Sequence, residues 1–144
     1  MSEFSITSSD FEEGGEIPKK FGYKFENTQP QISFNNVPDT HKSTALIMDD
    51  PDAMAAVGKV WVHWLFFSNN GSKVSGKTDF GKIGYGGPAP PDKRHTYVFK
   101  AYAIDEELDL TEGYSKQELE DAIKGLLLQY EKNNPHFVFC IRMY

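Results

Sequence analysis

The stretch 61-WVHWLFF-67 is an apolar run that contains one polar side chain, that of His63. Strand alternation predicts two faces, one with Trp61, His63 and Leu65 and the other with Val62, Trp64 and Phe66. Because both faces are apolar, we predict that this strand is central in its sheet and that His63 is buried. A buried imidazole is either a core histidine bonded to a neighbouring carbonyl or the floor of a pocket.

Further strands are predicted on both sides of this run, because turn signals recur at short intervals along the whole chain. In chain order, the predicted strands are Phe4–Thr7, Gln31–Phe34, Thr44–Met48, Val60–Phe67, His95–Ile104 and Phe137–Met143. Clusters of Gly, Asn, Asp and Pro separate them, such as 69-NNG-71. This spacing is typical of an all-β protein.

One helix is predicted late in the chain, where Ser115 and Glu118 form a capping-box pattern. Apolar residues follow at helical spacing, namely Leu119, Ala122, Ile123, Leu126, Leu127 and Tyr130. The segment 133-NNP-135 is predicted to end the helix. One apolar stripe cannot bury itself, so the helix must pack on the strands. We therefore expect a mainly β, two-sheet antiparallel β-sandwich with one amphipathic helix near the C-terminus.

The length of the chain predicts a single domain over residues 1–144, and the hydrophobic content of 39% is enough for a core. A net charge of −6, without a cluster of Lys and Arg, disfavours nucleic-acid binding. No run approaches the roughly 18 apolar residues that cross a bilayer. Without a basic amphipathic helix, we expect no stable membrane association, although a pocket can hold one headgroup.

A cytoplasmic location is expected from two features. The first 18 residues, MSEFSITSSDFEEGGEIP, lack the basic start, apolar run and small-residue cleavage site of a secretory signal. The lone Cys140 cannot form an internal disulfide, which suits a reducing compartment. Cys140 lies in an apolar strand, so we predict a structural role rather than a nucleophilic one.

The segment 49-DDPDA-53 follows the predicted strand Thr44–Met48. Pro51 favours extended geometry at Asp50, which predicts that the carboxylates lie on a turn at the strand end. Aspartates are common turn formers because they bond to their own backbone. Loops at strand ends also carry many binding sites, so a structural and a functional interpretation both stand.

The segment 84-GYGGPAPP-91 precedes His95 by a short connection. It has no Gly-Lys-Ser/Thr ending and no helix is predicted after it, so neither the P-loop nor the dinucleotide fingerprint applies. Its prolines predict a stiff loop with few backbone donors. Such a loop suits the wall of a preformed pocket, or is a structural connection.

In this order, the three segments resemble the motifs of the phosphatidylethanolamine-binding proteins, a family that includes the Raf kinase inhibitor proteins. The segment 50-DPDA-53 resembles the Asp-Pro-Asp-Ala-Pro motif, and 61-WVHW-64 resembles the Trp-x-His strand. The segment 85-YGGP-88, continued to 95-HTY-97, resembles the Gly-Pro-Pro…His-Arg-Tyr motif. Met54 and Thr96 depart from the pattern, where the family has proline and arginine. The resemblance covers nearly the whole chain and implies ligand binding rather than catalysis.

Carried over residue by residue, the resemblance implies a pocket with Asp50, His63, Pro91 and His95 in its lining, Asp52 and Trp61 at its edge, and Tyr85 as a further candidate. It implies a small anionic or zwitterionic ligand, such as phosphate or phosphoethanolamine, and no cofactor or metal. A zwitterion needs donors for the phosphate and an acceptor for the ammonium, which two histidines and an aspartate supply. A carboxylate beside either histidine is expected to raise the imidazole pKa, so anion affinity should fall above neutral pH.

Two other functions stay open. Some relatives are described as inhibitors of kinases or serine proteases, and Gly84–Pro91 is the candidate inhibitory loop here. A metal-dependent hydrolase is disfavoured, because the chain has no His-x-His, His-Glu-x-x-His or Gly-x-Ser-x-Gly motif. Stoichiometric zinc in the purified protein would favour the hydrolase, and inhibition in protease assays would favour the inhibitor.

Overall fold

The computed structural model describes residues 4–124 and the backbone of residues 136–143. The predicted helix positions Leu126, Leu127 and Tyr130, and the predicted helix end at 133-NNP-135, lie outside the described residues, as does the side chain of Cys140. No helix in the described part of the chain is both long enough and apolar enough to cross a membrane.

Seven strands and two α-helices make up most of the regular structure in the described residues. In chain order they are β1 Ser5–Thr7, β2 Ser33–Asn35, β3 Ser43–Asp50, α1 Ala53–Val57, β4 Trp61–Asn69, β5 Ser72–Ser75, β6 His95–Ile104, α2 Lys116–Lys124 and β7 His136–Met143. A short 3-10 turn covers Lys19–Phe21. The six predicted strands are all present, with bounds within two residues of those predicted.

Two antiparallel sheets form the body. One pairs β1 with β2, and the other has the strand order β5-β4-β3-β6-β7. Alternation along β3 sends Leu46 and Met48 into the core that faces the small sheet. The same alternation sends Ala45 and Ile47 into a second core, which the buried residues of α2 cover from the other side. The predicted mainly β architecture of two sheets and a late helix is confirmed.

The strand β5 was not predicted, although the turn that leads into it was. Only Asn70 and Gly71 lie between β4 and β5, with φ angles of 49° and 86°. Two consecutive residues with positive φ form the two-residue hairpin turn that matches the twist of the strands. The hairpin therefore follows from the Asn-Gly pair.

The predicted faces of β4 are wrong at one point, because the strand contains a β-bulge. Met48 of β3 pairs with Trp64, but the next residue, Asp49, pairs with Val62. His63 is therefore an extra residue without a partner on β3. A bulge of this kind bends the strand and redirects side chains.

The bulge decides which way His63 points. Val62 lies with Leu65 in the core that α2 covers, instead of sharing a face with Trp64. His63 turns to the opposite side, where its ring contacts that of Tyr97 at 5.2 Å. Regular alternation would have placed His63 with Leu65, among the apolar side chains under α2.

The strand β3 also extends further than predicted. It ends at Asp50 rather than Met48, so Asp50 is a strand residue, and the prediction that it lies on a turn is wrong. The turn begins at Pro51 and leads into the short helix α1, which was not predicted. Asp49 and Asp50 are 2% and 3% exposed and, as neighbours in a strand, point to opposite faces of the sheet.

Candidate functional site

His95 opens the strand β6 and is held between two carboxylates. Its Nδ1 lies 2.6 Å from Oδ2 of Asp50, and its Nε2 lies 2.7 Å from Oδ1 of Asp92. The imidazole is 0% exposed. A carboxylate oxygen only accepts hydrogen bonds, so both ring nitrogens must donate. The protonated imidazolium is the form that satisfies both contacts.

The electrostatics of His95 agree with this geometry. Burial by itself lowers the pKa of His95, but the hydrogen bonds and charges of Asp50 and Asp92 raise it above the ordinary value. The hydrogen bond to His95 is also the main cause that lowers the pKa of Asp92. The prediction that a carboxylate raises an imidazole pKa is confirmed for His95, which carries a positive charge in its contacts with both carboxylates.

His63 behaves in the opposite way. It is 2% exposed, and its Nδ1 lies 2.7 Å from the carbonyl oxygen of Gly86. Burial lowers the pKa of His63 below the ordinary value, more than the Gly86 contact and the charge of Asp50 raise it. The charge of Asp50 does raise the pKa of His63, as predicted for a nearby carboxylate, but burial outweighs this rise. Because the carbonyl can only accept, Nδ1 carries the proton of the neutral ring, and Nε2 is a lone-pair acceptor.

This difference between the two histidines can be tested by nitrogen NMR of the imidazole rings. At pH 7, His63 is expected to show one protonated and one unprotonated nitrogen, with the proton on Nδ1, whereas His95 shows two protonated nitrogens. The control is the protein unfolded in urea, in which both rings titrate near the ordinary value of about 6.5. A doubly protonated His63 at pH 7 in the folded protein would contradict the assignment.

Tyr97 lies between the two histidines. It is two residues beyond His95 on the same face of β6, and its ring centroid is 5.2 Å from that of His63 and 6.4 Å from that of His95. Burial raises the pKa of Tyr97, the charge of Asp50 raises it further, and the backbone of Ala89 offsets part of the rise. The phenol is therefore neutral at physiological pH and can donate a hydrogen bond.

Close to the two histidines, three buried polar atoms have no partner with hydrogen-bond geometry within the described residues. They are Oδ1 of Asp50, Nε1 of Trp61 and Oη of Tyr97, although the backbone of Ala89 lies close enough to the Tyr97 hydroxyl to lower its pKa. Asp50 and Trp61 face each other in the ladder between β3 and β4, and the charge of Asp50 acts on Tyr97. Buried polar atoms are nearly always bonded, because desolvation without a partner costs free energy. An acceptor and two donors on the three neighbouring strands β3, β4 and β6 indicate a site for a polar ligand.

Aromatic rings pack beside these polar atoms. The ring of Phe80 lies 5.5 Å from the rings of both His63 and Trp61. Tyr23 stacks on Phe80 from the other side, with a centroid distance of 3.8 Å. These rings lower the local polarity, so hydrogen bonds to a charged ligand are stronger there than in water.

The glycine-rich loop is fixed to the bulge by its backbone. The amide of Gly86 donates to the carbonyl of His63 at 2.8 Å, and the carbonyl of Gly86 accepts from the His63 ring. The amide of Gly87 donates to Oδ1 of Asn27 at 2.8 Å. A Cβ atom at Gly87 would collide with the carbonyl oxygen of Phe21. A glycine is therefore required at this position.

The structure brings most of the predicted site residues together. Asp50 contacts His95 directly, and His63 and His95 lie on either side of Tyr97. Oδ2 of Asp52 accepts a hydrogen bond of 2.7 Å from the amide of Thr96, which ties the start of α1 to β6. Trp61 lies opposite Asp50 and presents its buried Nε1.

Tyr85 and Pro91 are linked less directly to the two histidines. Tyr85 donates from its hydroxyl to the carbonyl of Phe21 at 2.8 Å, and its ring packs against Trp64. Burial raises the pKa of Tyr85, so it is a neutral hydrogen-bond donor in the core. Pro91 is exposed on the loop immediately before Asp92. Neither side chain has a described contact with His63 or His95.

Three residues of the site were not predicted. Tyr97 had a signal in the sequence, because it is two positions after His95 in a predicted strand and so must share its face. Asp92 had only a weak signal, an acidic residue three positions before a histidine. Phe80 had none, because its contact with His63 depends on the path of a loop that the pattern does not determine.

The opposite face of the sheet carries a separate ion-pair cluster. Oδ2 of Asp49 lies 2.7 Å from Nζ of Lys116 on α2 and 3.7 Å from Nζ of Lys100 on β6. This contact attaches α2 to the strand that carries Asp50. Among the described residues, no group of three or more His, Cys, Asp or Glu is arranged to hold a metal ion.

Comparison with known proteins agrees with this architecture. The sequence profile of the family described as phosphatidylethanolamine-binding protein matches residues 7–137. A curated relative, the UPF0098 protein of Methanothermobacter thermautotrophicus, is 39% identical over 142 residues, which cover 86% of this chain and 91% of the relative. The UPF0098 protein of Chlamydia muridarum is 38% identical over 136 residues, with 85% and 91% covered.

Solved structures of similar proteins have the same fold. The phosphatidylethanolamine-binding protein homologue CT736 of Chlamydia trachomatis superposes with a TM-score of 0.83 at 31% identity, covering 99% of this chain and 97% of its own. YbcL of Escherichia coli, described as a member of the mammalian family, gives a TM-score of 0.82 at 24% identity and covers 99% and 98%. Because the second protein is only 24% identical, this match shows the similarity of the fold alone.

Proposed function

We propose that this chain, which belongs to the phosphatidylethanolamine-binding protein family, binds a small phosphorylated anion or zwitterion such as phosphoethanolamine between Asp50, Tyr97 and His95. Proteins of this family are ligand-binding proteins rather than enzymes. The observation that carries the proposal is a set of three buried polar atoms on neighbouring strands, beside a fully buried histidine that two carboxylates hold.

The available groups suit the two ends of a phosphorylated zwitterion. Tyr97 Oη and Trp61 Nε1 are donors, and His95 brings a positive charge, so a phosphate oxygen finds charge-assisted hydrogen bonds there. Asp50 Oδ1 and the lone pair on His63 Nε2 are acceptors, which an ammonium group requires. The neutral state of His63 supports this division, because a protonated ring would repel the ammonium.

The charge of the site favours a ligand that brings its own positive group. Asp50 and Asp92 each carry one negative charge against one positive charge on His95, and His63 is neutral. A free phosphate dianion would enter a site that is already net negative. A zwitterion adds an ammonium group that the acceptors can bind. We therefore expect phosphoethanolamine to bind more tightly than inorganic phosphate.

The binding site can be tested by titrating the protein with phosphoethanolamine and following the NMR ring signals of His63 and His95. In the wild type, both rings should shift together with one dissociation constant. Asp50→Asn removes the negative charge that pairs with His95 and attracts the ammonium group, and should weaken binding about tenfold or more. The matched control, Asp49→Asn, removes the same charge from the other face of the same strand and should bind as the wild type does.

The pH dependence supplies a second measurement on the same samples. Because the pKa of His95 is raised, its positive charge persists above the ordinary value, and phosphate affinity should fall once the pH passes that raised pKa. Affinity that stays constant from pH 6 to pH 9 would argue against a role of His95 in anion binding. Rings that do not respond to ligand at any pH would remove the proposal.

The protein-inhibitor hypothesis has less support from the geometry. Residues Gly86, Gly87 and Pro88 of the candidate loop are buried, and the two glycines are bonded inward to His63 and Asn27. A protease inhibitor needs an exposed, rigid loop that enters the active site of its target. The buried loop suits the wall of a pocket instead, and protease assays with an excess of the protein test the alternative.

A further inference from the structure

Asp92 is an exposed member of the site. Its side chain is 45% exposed, whereas His95, to which it bonds, is 0% exposed. Its Oδ1 accepts from His95 Nε2 at 2.7 Å and also from the amide of Lys93 at 2.9 Å. The carboxylate therefore reaches from a solvent-exposed loop to the inner imidazole.

This contact decides how a ligand can reach His95. Nδ1 of the ring is engaged by Asp50, whose side chain is almost completely buried. Nε2 is the nitrogen on the solvent side, and the carboxylate of Asp92 is bonded to it. An anion from solution that approaches the imidazolium therefore meets another anion already in place.

We propose that Asp92 is a built-in competitor, whose carboxylate occupies the anion position on His95 in the free protein and must leave before a phosphate-bearing ligand can bind there. The inference rests on the proposed function and adds a determinant of affinity to it. The ligand class is a phosphate monoester or inorganic phosphate, which share the group that replaces the carboxylate.

The two carboxylates on His95 differ in how easily they can leave. When Asp92 leaves, its partly exposed carboxylate regains water, and the phosphate of the ligand takes over the hydrogen bond from Nε2 of the buried imidazolium. Asp92 can rotate outward and become hydrated at small cost. Asp50 cannot, because its carboxylate is enclosed in the protein and would lose its partner without gaining water. Asp50 therefore keeps His95 charged while Asp92 exchanges with the ligand.

The charged and titratable groups around His95 are consistent with such an exchange. Asp50 faces the ring from β3, Asp92 from the preceding loop and Tyr97 from β6 itself, and Asp52 bonds to the amide of the next residue. When a phosphate replaces Asp92, one anion takes the place of another on the imidazolium. A doubly charged phosphate competes better than a singly charged carboxylate, so Asp92 also selects against weaker anions.

The test compares Asp92→Asn with the wild type, using inorganic phosphate and phosphoethanolamine as probes and calorimetry or NMR as the readout. Loss of the competing charge should lower the dissociation constant for phosphate about tenfold. The matched control is Asp39→Asn, which removes one exposed charge from the loop before β3, at the end of that strand opposite Asp50. Its dissociation constants should equal those of the wild type.

A measurement without ligand tests the contact between Asp92 and His95 separately from its proposed role in ligand binding. In Asp92→Asn, the pKa of His95 should fall relative to the wild type, because one of its two carboxylate partners has lost its charge. Tighter phosphate binding together with this fall supports the competitor role. Unchanged or weaker phosphate binding in Asp92→Asn overturns it and leaves the proposed function standing. If neither the wild type nor Asp92→Asn binds phosphate or phosphoethanolamine, the competitor role and the proposed function are both overturned.

Discussion

Gly87→Ala is expected to lower the free energy of unfolding by about 3 kcal/mol or more, because the new methyl group has no room. The Cβ atom would collide with the carbonyl oxygen of Phe21 and lie 3.0 Å from Oδ1 of Asn27. A carbonyl oxygen is part of the backbone and cannot rotate away as a side chain can. The loop itself must therefore move.

The movement would also disturb the ligand site. The amide of Gly87 would lose its bond to Asn27, and the adjacent carbonyl of Gly86 would be displaced from the ring of His63. That carbonyl holds the proton on Nδ1 and leaves Nε2 as the acceptor. Weaker binding of phosphoethanolamine should therefore accompany the loss of stability, even where the variant is still folded.

The matched control is Gly81→Ala in the neighbouring loop. Gly81 has a φ angle of 81°, and a Cβ atom added there would meet no other atom within 4 Å, so alanine brings conformational strain without a collision. Such strain costs about 1 kcal/mol. Urea unfolding of the two variants measures both values. A cost for Gly87→Ala no greater than that for Gly81→Ala would show that the loop tolerates a side chain.

Apolar alternation and turn residues were enough to predict six of the seven described strands. The strand β6 has the predicted bounds His95–Ile104, because its alternation of buried and less buried residues is regular over most of its length. The capping box of α2 is also present, with Ser115 and Glu118 bonded to each other's backbone amides. Both features depend on residues that are close in sequence, which a pattern can report.

The features that no local pattern could predict depend on pairing between distant residues. The bulge at His63 exists because of the register between β3 and β4, and nothing within 61-WVHWLFF-67 reports that register. The same is true of Asp92, whose role depends on the path of the loop toward His95. The sequence thus predicted the two histidines and Asp50 as candidates, but not that one imidazole is charged and the other neutral.

Asp50→Asn is expected to cost about 3 kcal/mol of stability at pH 6, and clearly less at pH 9. The variant removes a carboxylate whose oxygen lies 2.6 Å from Nδ1 of His95, with both side chains almost fully buried. At pH 6 the imidazole is charged and loses its buried counter-ion. At a pH above the raised pKa of His95, the ring is neutral in both proteins, and an ordinary hydrogen bond of about 1 kcal/mol is what the variant loses.

The direction of this pH dependence follows from the linkage between proton binding and folding. The pKa of His95 is higher in the folded protein than in the unfolded chain, so the ion pair contributes its full stability below about 6.5 and loses it as the pH rises through the folded value. His63 does not reverse the trend, because its pKa is lowered and it is neutral over most of this range. The difference between wild type and Asp50→Asn should therefore be largest at pH 6 and shrink as the pH rises through the raised pKa of His95.

Asp49→Asn provides the control within the same strand. Asp49 is as buried as Asp50, but its partners are Lys116 and Lys100 rather than a histidine. Its cost in urea unfolding should be constant over this range. Equal pH profiles for the two variants would mean that His95 is not charged by its contact with Asp50. A profile that slopes for Asp50→Asn alone would place the imidazolium in the buried pair, where the proposed phosphate site requires it.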